Sequence, residues 1–231
     1  MGYKRAGICS CTIVLILIVL PAVTIIGDVI LRWLSGDDFP LIFRACFDSS
    51  VHICLGCLAW SVTLVQRTHA VHVRREILYA GIMSALIDVD HFIKARSLHL
   101  QDALHMESPP PMHDIVIPLV LFIISMILYC VNWYRNFRYR LLQFSVLHAV
   151  HLFRDAARRG LNGGFVPSVF PPHSPFGMFP FFIPLFPLLA RYIVLLNEVP
   201  IEERERDPPT LVITHPSESD EEDEYERTLF Y

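Results

Sequence analysis

Long apolar runs separated by short polar connections dominate the first 196 residues of the chain. Six such runs cover residues 8–31, 41–65, 76–92, 115–131, 141–157 and 176–196. A helix needs about 20 mostly apolar residues to cross a bilayer. Within lipid, only helices and closed barrels satisfy every backbone polar group. We therefore predict an all-α fold, a multi-pass helical membrane bundle with about six hydrophobic segments and no sheet.

Two of the runs need separate treatment. The first follows Lys4 and Arg5, as a signal peptide would, but a signal-peptide core spans only about 7–15 residues. We predict a membrane anchor for this longer run. The fifth run contains "LLQFSVLHAVHLFRDAA" and is too polar to face lipid. A polar span usually faces the interior of a bundle, so we expect it there.

Composition separates the chain into two parts. Hydrophobic residues make up 53% and charged residues 18%, whereas soluble domains carry about 25% charge. Residues 198–231 hold 12 of the 23 acidic and 3 of the 19 basic residues, so this part carries −9 and the remainder +5, which gives the net −4. We predict a transmembrane helical domain over 1–197 and an acidic disordered C-terminal tail over 198–231.

Two expectations follow for the ends of the chain. The connections that share a side with the N-terminus hold slightly more Lys and Arg than the others, which favours a cytoplasmic location for both termini. In the tail, Ser217 and Ser219 each have an acid three residues later. Acid-directed kinases favour that spacing, so we expect such a kinase as a partner, together with membrane lipids and no nucleic acid.

Ionisable side chains interrupt the apolar runs in four places, although such residues are costly in lipid unless they meet partners or water. Asp48 and His52 lie in the second run, and His151 and Asp155 in the fifth. Each pair is four residues apart and so shares a helix face. The third run ends in "DVDH" and the fourth begins after "HD". Six antiparallel spans would bring all four places to the same face of the membrane.

This convergence predicts one metal site. A carboxylate beside an imidazole can act as a second ligand or can orient the first. Oxygen and nitrogen donors together suit zinc or manganese better than calcium. The candidate metal ligands are His52, Asp88, Asp90, His113, His151 and Asp155. His91 is the candidate acid–base residue. The alternative, in which these are ordinary boundary residues at helix ends, stays open at this stage.

Three stretches carry a resemblance to known families: "FDSSVHICLGCLAWSV", "EILYAGIMSALIDVDHFIKARSLHLQDAL" and "HLFRDAARRGL". Over residues 43–196 they resemble the transmembrane protein 267 family. More distantly, the chain resembles bacterial YdjM-like membrane proteins, described as metal-dependent hydrolases. Their motifs match His52, then Asp88, Asp90 and His91, and finally His151, Asp155 and Gly160. Of their HRGxTHS motif only His113 is present.

The resemblance implies a membrane-bound metal-dependent hydrolase or a catalytically inactive relative of one. A divalent ion would activate water for attack on an ester or phosphoester, and the substrate would be a lipid if the site lies near the headgroups. Two alternatives stay open. One is a transporter of metal ions or protons. The other is a non-catalytic membrane protein that recruits partners through its acidic tail.

Overall fold

The computed structural model describes residues 2–36, 39–65, 70–104, 106, 108, 110–159, 161–163, 166–170 and 179–197. The predicted tail, with Ser217 and Ser219, lies outside these residues, as does Gly160. In chain order the elements are α1 (Gly2–Leu34), α2 (Leu41–Leu64), α3 (Ala70–Leu86), α4 (Val89–Ala95), α5 (Leu100–Leu104), a 3-10 helix (Pro111–His113), α6 (Val116–Cys130), α7 (Arg135–Arg159), β1 (Leu161–Gly163), β2 (Val166–Phe170), α8 (Phe179–Phe182) and α9 (Leu185–Asn197).

The predicted helical fold is confirmed, whereas the prediction of no sheet is wrong at one place. Strands β1 and β2 form an antiparallel hairpin in which Leu161 pairs with Phe170 and Gly163 with Val166. The sequence "LNGGFVPSVF" carries the signal for it. Asn162 and Gly163 themselves belong to β1, and the β-branched and aromatic residues of Val166–Phe170 favour a strand.

Only part of the predicted set of six spans has the length of a membrane crossing. Among the described residues, three helical segments are long and apolar enough to cross a membrane: Cys11–Leu34, Leu41–Leu64 and Pro180–Asn197. Helix α6 is also apolar but has 15 residues, which gives a length of about 22 Å. The third run, 76–92, divides between α3 and α4. Six crossings therefore stay a prediction.

Helix α7 is the centre of the bundle. It packs against α2, α3, α6, α8 and α9. The apolar core around it includes Leu55 and Trp60 from α2 together with Leu142, Leu147 and Val150 from α7 itself, all of which are inaccessible to solvent. The polar residues of its second half are buried as well: Gln143, Ser145, His148, His151, Arg154 and Asp155. The fifth run therefore faces the interior, as its polarity led us to expect.

Small residues bring α2 and α3 into close contact. A Cβ atom added to Gly56 would lie 2.7 Å from the Cβ of Ser84 and 2.9 Å from the carbonyl oxygen of Ala80. A Cβ added to Gly81 would lie 2.6 Å from the Sγ of Cys57. Small residues permit this approach between helices in membranes, where van der Waals packing drives helix association. The contact fixes the backbone of Ser84 against α2.

Candidate metal centre

Four side-chain donors from three segments of the chain meet inside the bundle. They are Asp88 Oδ1 from the turn between α3 and α4, His113 Nε2 from the 3-10 helix, and His151 Nε2 and Asp155 Oδ2 from α7, and all lie within 4.8 Å of one another. We call these four residues the metal-centre cluster. His151 and Asp155 reach it together because they are one helical turn apart.

The spacing of the donors fits a tetrahedral ion. The two Nε2 atoms are 3.3 Å apart. Asp88 Oδ1 lies 3.5 Å from His113 Nε2 and 3.3 Å from His151 Nε2. Asp155 Oδ2 lies 3.6 Å and 4.0 Å from the same two atoms. Zinc ligands at about 2.0–2.1 Å in a tetrahedron are about 3.3–3.4 Å apart. Only a small contraction of the cluster would be needed.

A backbone carbonyl sets the orientation of His151. Its Nδ1 lies 3.0 Å from the carbonyl oxygen of Ser84. A carbonyl oxygen only accepts, so Nδ1 carries the hydrogen and donates it. The lone pair of Nε2 then points into the cluster, which is the arrangement typical of metal-binding histidines. The ring also stacks on His52, with centroids 3.8 Å apart.

His113 is oriented by the loop that carries it. Its Nδ1 lies 3.4 Å from Asp90 Oδ2, and the same oxygen accepts a hydrogen bond of 2.9 Å from the backbone N–H of Met112. The carbonyl oxygen of Met112 accepts a 2.5 Å hydrogen bond from His148 Nε2. Asp90 and His148 therefore hold the residue before His113 from two sides.

Burial alone would lower the pKa of His113, but hydrogen bonds to the carboxylates of Asp155, Asp88 and Asp90 outweigh it and raise this pKa to about 11. In the metal-free protein, His113 is therefore protonated at neutral pH. Its positive charge partly offsets the repulsion among these carboxylates, as a bound cation would.

The two oxygens of Asp155 face different groups. Oδ2 faces the metal-centre cluster, whereas Oδ1 accepts a 2.6 Å hydrogen bond from Arg158 Nη2. Oδ1 also lies 3.3 Å from His52 Nε2, and Arg154 Nη1 lies 2.5 Å from the same nitrogen of His52. The carboxylate is thus held with one oxygen directed at the cluster.

Two arginines on α7 join this site to α1 and α2. Arg154 pairs with Asp48 and lies 3.5 Å from Asp28 Oδ1. Arg158 lies 3.1 Å from Asp48 Oδ1 and 3.6 Å from Asp28 Oδ1. We call Asp28, Asp48, Arg154 and Arg158 the arginine clamp. Asp28 is not among the candidate residues from the sequence, although a lone carboxylate in an apolar run signals a buried cation elsewhere in the bundle.

The clamp and the metal-centre cluster together hold excess negative charge. Asp90 and the carboxylates of the two sets give five acids against two guanidinium groups and, in the metal-free protein, the protonated His113. Arg154 is fully buried, and Asp155 and Asp90 are 6% and 8% exposed. Buried charge is strongly unfavourable unless it is paired. The region therefore favours a divalent cation.

The remaining predicted site residues lie beside the cluster rather than in it. Asp90 faces His113 Nδ1, on the opposite side of the ring from the cluster. His52 contacts the outer oxygen of Asp155. His91 Nδ1 lies 3.1 Å from Asp90 Oδ1 and 3.7 Å from Asp88 Oδ1. His91, the candidate acid–base residue, is buried, with 6% of its surface exposed. The side chain of Asp88, 28% exposed, is the most accessible of the four donors.

The apolar helices and this buried centre define the chain as an integral membrane protein with a candidate metal centre. It is similar to proteins named Transmembrane protein 267. The mouse protein is 31% identical over 140 residues, which cover 59% of this chain and 63% of the mouse protein. The zebrafish (Danio rerio) protein is 28% identical over 119 residues, which cover 51% and 53% of the two chains. The bovine protein is 29% identical over 130 residues, which cover 54% and 60%.

The matched regions thus span about half to three fifths of these relatives. No family model matches the chain, and no solved structure matches it. The resemblance to YdjM-like hydrolases therefore stays a prediction.

Proposed function

We propose that the chain is a multi-pass member of the Transmembrane protein 267 family that binds one divalent metal ion at Asp88, His113, His151 and Asp155. The spacing of these four donors carries the proposal, since five of their six separations are 3.3–4.0 Å and all are within 4.8 Å, close to the spacing in a tetrahedral shell. The excess buried negative charge supports it independently. Two neutral imidazoles and two carboxylates would balance a divalent ion.

Zinc is the ion that fits this donor set best, with manganese as the alternative. Zinc accepts histidine nitrogen and carboxylate oxygen in tetrahedral sites. The hydrogen bonds of Ser84 and Asp90 to the far nitrogens of His151 and His113 are the outer contacts that metal-binding histidines usually make. Asp90 and His52 would then orient ligands, in a role different from the direct ligation that the sequence suggested.

We assign to the centre the hydrolysis of an ester or phosphoester. A bound divalent ion that accepts water as a fifth ligand would lower the pKa of that water from 15.7 to about 7. His91 would accept the proton that water loses as its oxygen bonds to the ester carbon or phosphorus. The bond to the leaving oxygen then breaks, and His91 returns the proton to give an alcohol. The exposure of Asp88 marks the side on which water and substrate can enter.

A structural metal is the second candidate, and a specific observation favours it. Four protein donors would fill a tetrahedral shell, as in structural zinc sites, whereas catalytic sites keep one position for water. In that case the ion would hold α7, the 3-10 helix and the turn before α4 together without chemistry. The absence of most of the HRGxTHS motif agrees with this alternative.

Metal analysis of the purified full-length protein tests the proposal. We expect about one zinc or manganese per chain, a stoichiometry set by the four donors of the metal-centre cluster. Asp88→Ala and His151→Ala should lose the metal. His99→Ala, which changes an exposed histidine outside the cluster, should keep it. Full metal content in both cluster variants, or none in the wild type, would contradict metal binding.

Activity then separates the two candidates. The wild-type protein and His91→Ala are compared on a panel of esters and phosphoesters at equal metal content. Hydrolysis by the wild type that is lost in His91→Ala supports the hydrolase. Absence of hydrolysis with a full complement of metal supports the structural role.

A further inference from the structure

Exposed apolar side chains follow α3 toward the metal centre and continue past it. On α3, Leu78, Ile82 and Leu86 are exposed at intervals of four residues, and so share one helix face. On α4, Val89 and Ile93 are exposed with the same spacing. We call these five residues the apolar row. In an integral membrane protein, a row of this kind faces lipid, because water would oppose its exposure.

Helix α4 has two different faces. Val89 and Ile93 are 44% and 72% exposed, whereas Asp90 and His91 are buried against the metal centre. A helix measures only about 10–12 Å across with its side chains. A molecule that contacts the outer face of α4 is therefore close to the ion site on its inner face.

The C-terminal end of α4 carries basic side chains that suit a membrane surface. Lys94 and Arg96 are exposed just after the apolar positions. Lys94 Nζ donates a 2.9 Å hydrogen bond to the carbonyl oxygen of Ser108, which anchors this end of the helix to the loop before α6. Basic residues beside an apolar helix face are typical of helices that lie in the headgroup layer, where the phosphates are anionic.

The accessible donor of the metal centre lies within this row. Asp88 stands between Leu86 and Val89 in the chain, and both of these are exposed apolar residues. We propose that α4 lies in the headgroup layer and that the exposed side of Asp88 faces this layer. The centre would then act on an ester-bearing membrane lipid that enters from the bilayer, in preference to a soluble ester. The substrate part of this inference rests on the proposed hydrolase function.

Photolabelling in vesicles tests the position of α4 without any measurement of activity. The full-length protein is reconstituted in phosphatidylcholine and phosphatidylglycerol vesicles. One phospholipid probe carries a diazirine in its headgroup and another carries it at the end of an acyl chain. We expect the headgroup probe to label residues 89–96 and the acyl probe to label the exposed apolar face of α6. Absence of both labels from 89–96 would overturn the inference.

A carboxylate introduced on the apolar row, compared with one introduced outside it, gives a matched pair of variants. Ile93→Glu places a carboxylate on the outer face of α4, and Gln101→Glu places one at an exposed position on α5. Because charge facing the bilayer is costly, we expect Ile93→Glu to reduce headgroup labelling by about tenfold, and Gln101→Glu to have little effect. Bound metal should be equal in both variants, since neither position contributes a donor. Equal labelling of both variants would contradict the proposed surface.

A pair of substrates tests the lipid assignment. The same ester is supplied in vesicles as a long-chain lipid and in solution as a short-chain analogue. We expect Ile93→Glu to reduce hydrolysis of the vesicle ester by about tenfold, with the rate on the soluble ester unchanged. Equal losses on both, or no vesicle hydrolysis by the wild type, would overturn the substrate assignment. A wild-type protein without metal would overturn the proposed function, whereas the photolabelling result would still decide the position of α4.

Discussion

Asp155 shows how single residues determine the geometry of the centre. One of its oxygens faces the metal-centre cluster, while the other is held by Arg158 at 2.6 Å and lies 3.3 Å from His52 Nε2. If the outer oxygen were released, both oxygens could turn toward the ion. Arg158 is therefore a positioning residue that would keep Asp155 a one-oxygen ligand.

We predict that Arg158→Gln weakens metal affinity by about 10–100-fold, the usual cost of losing a residue that orients a ligand. The spectrum of the cobalt-substituted protein should also lose intensity, because a two-oxygen carboxylate raises the coordination number. Arg135→Gln, an exposed position on the same helix, is the control. An unchanged affinity and spectrum in Arg158→Gln would show that Arg158 has no such role.

The raised pKa of His113 predicts that both the stability of the protein and its metal affinity depend on pH. Its pKa is raised from 6.5 to about 11 in the metal-free fold, so its contribution to stability is fully present below pH 6.5 and is lost as the pH rises toward 11. We expect the melting temperature of the metal-free protein to fall from pH 6 to pH 9. Metal must displace this proton, so metal affinity should rise over the same range.

Thermal unfolding in detergent measures how the melting temperature changes with pH, and metal titrations at several pH values measure how the metal affinity changes. His113→Gln should reduce the change of melting temperature with pH, since glutamine does not titrate. A melting temperature of the metal-free wild type that rises over this interval would contradict the prediction.

The residues that meet in the candidate metal centre were largely accessible from sequence, whereas the contacts of each side chain were not. The spacing of His151 and Asp155 placed both on one helix face, and the run ends placed Asp88 and His113 near the same membrane face. Which oxygen or nitrogen points at the ion depends on hydrogen bonds between distant segments. Ser84 to His151 is one of these, and no local pattern contains it.

At the scale of elements, the apolar runs predicted where helices occur but not where each helix begins and ends. The run 76–92 suggested one segment, but the chain turns at Ile87 and Asp88 between α3 and α4. This turn allows Asp88, Asp90 and His91 to face the centre. The last run also divides, between α8 and α9, beside Pro184. Proline lacks the N–H that a continuous helix would use.

The close contact between α2 and α3 predicts that a larger side chain at Gly56 destabilises the protein. Valine at Gly56 would place a Cβ atom 2.7 Å from the Cβ of Ser84, so the helices would have to separate. We expect Gly56→Val to lower the free energy of unfolding by about 1–3 kcal/mol. Metal affinity should fall as well, because Ser84 holds His151.

Thermal unfolding in detergent and a metal titration check this expectation. Gly36→Ala is the matched control, since a Cβ added there would meet only the carbonyl oxygen of Trp33 at 3.8 Å. Equal stability of the two variants would contradict the packing argument.

For the whole molecule, an ion bound at the candidate metal centre would cross-link distant parts of the chain. Its donors come from the turn after α3, the 3-10 helix and α7. An ion that binds only the folded state adds about 2.7 kcal/mol at a free concentration of 100 times its dissociation constant. We predict that EDTA lowers the melting temperature in detergent and that zinc restores it. His151→Ala should show neither effect, and an EDTA response equal to that of the wild type would contradict the prediction.

The arginine clamp also constrains how the protein is made. Asp48 enters the membrane with the second helix, but its partner Arg158 lies 110 residues later in the chain. At typical elongation rates of about 5–20 residues per second, the ribosome needs roughly 5–20 s to reach it. During that interval the carboxylates of the early helices lack their final counter-ions. Because unpaired charge is costly in lipid, we expect the early helices to settle fully only after α7 has been synthesised.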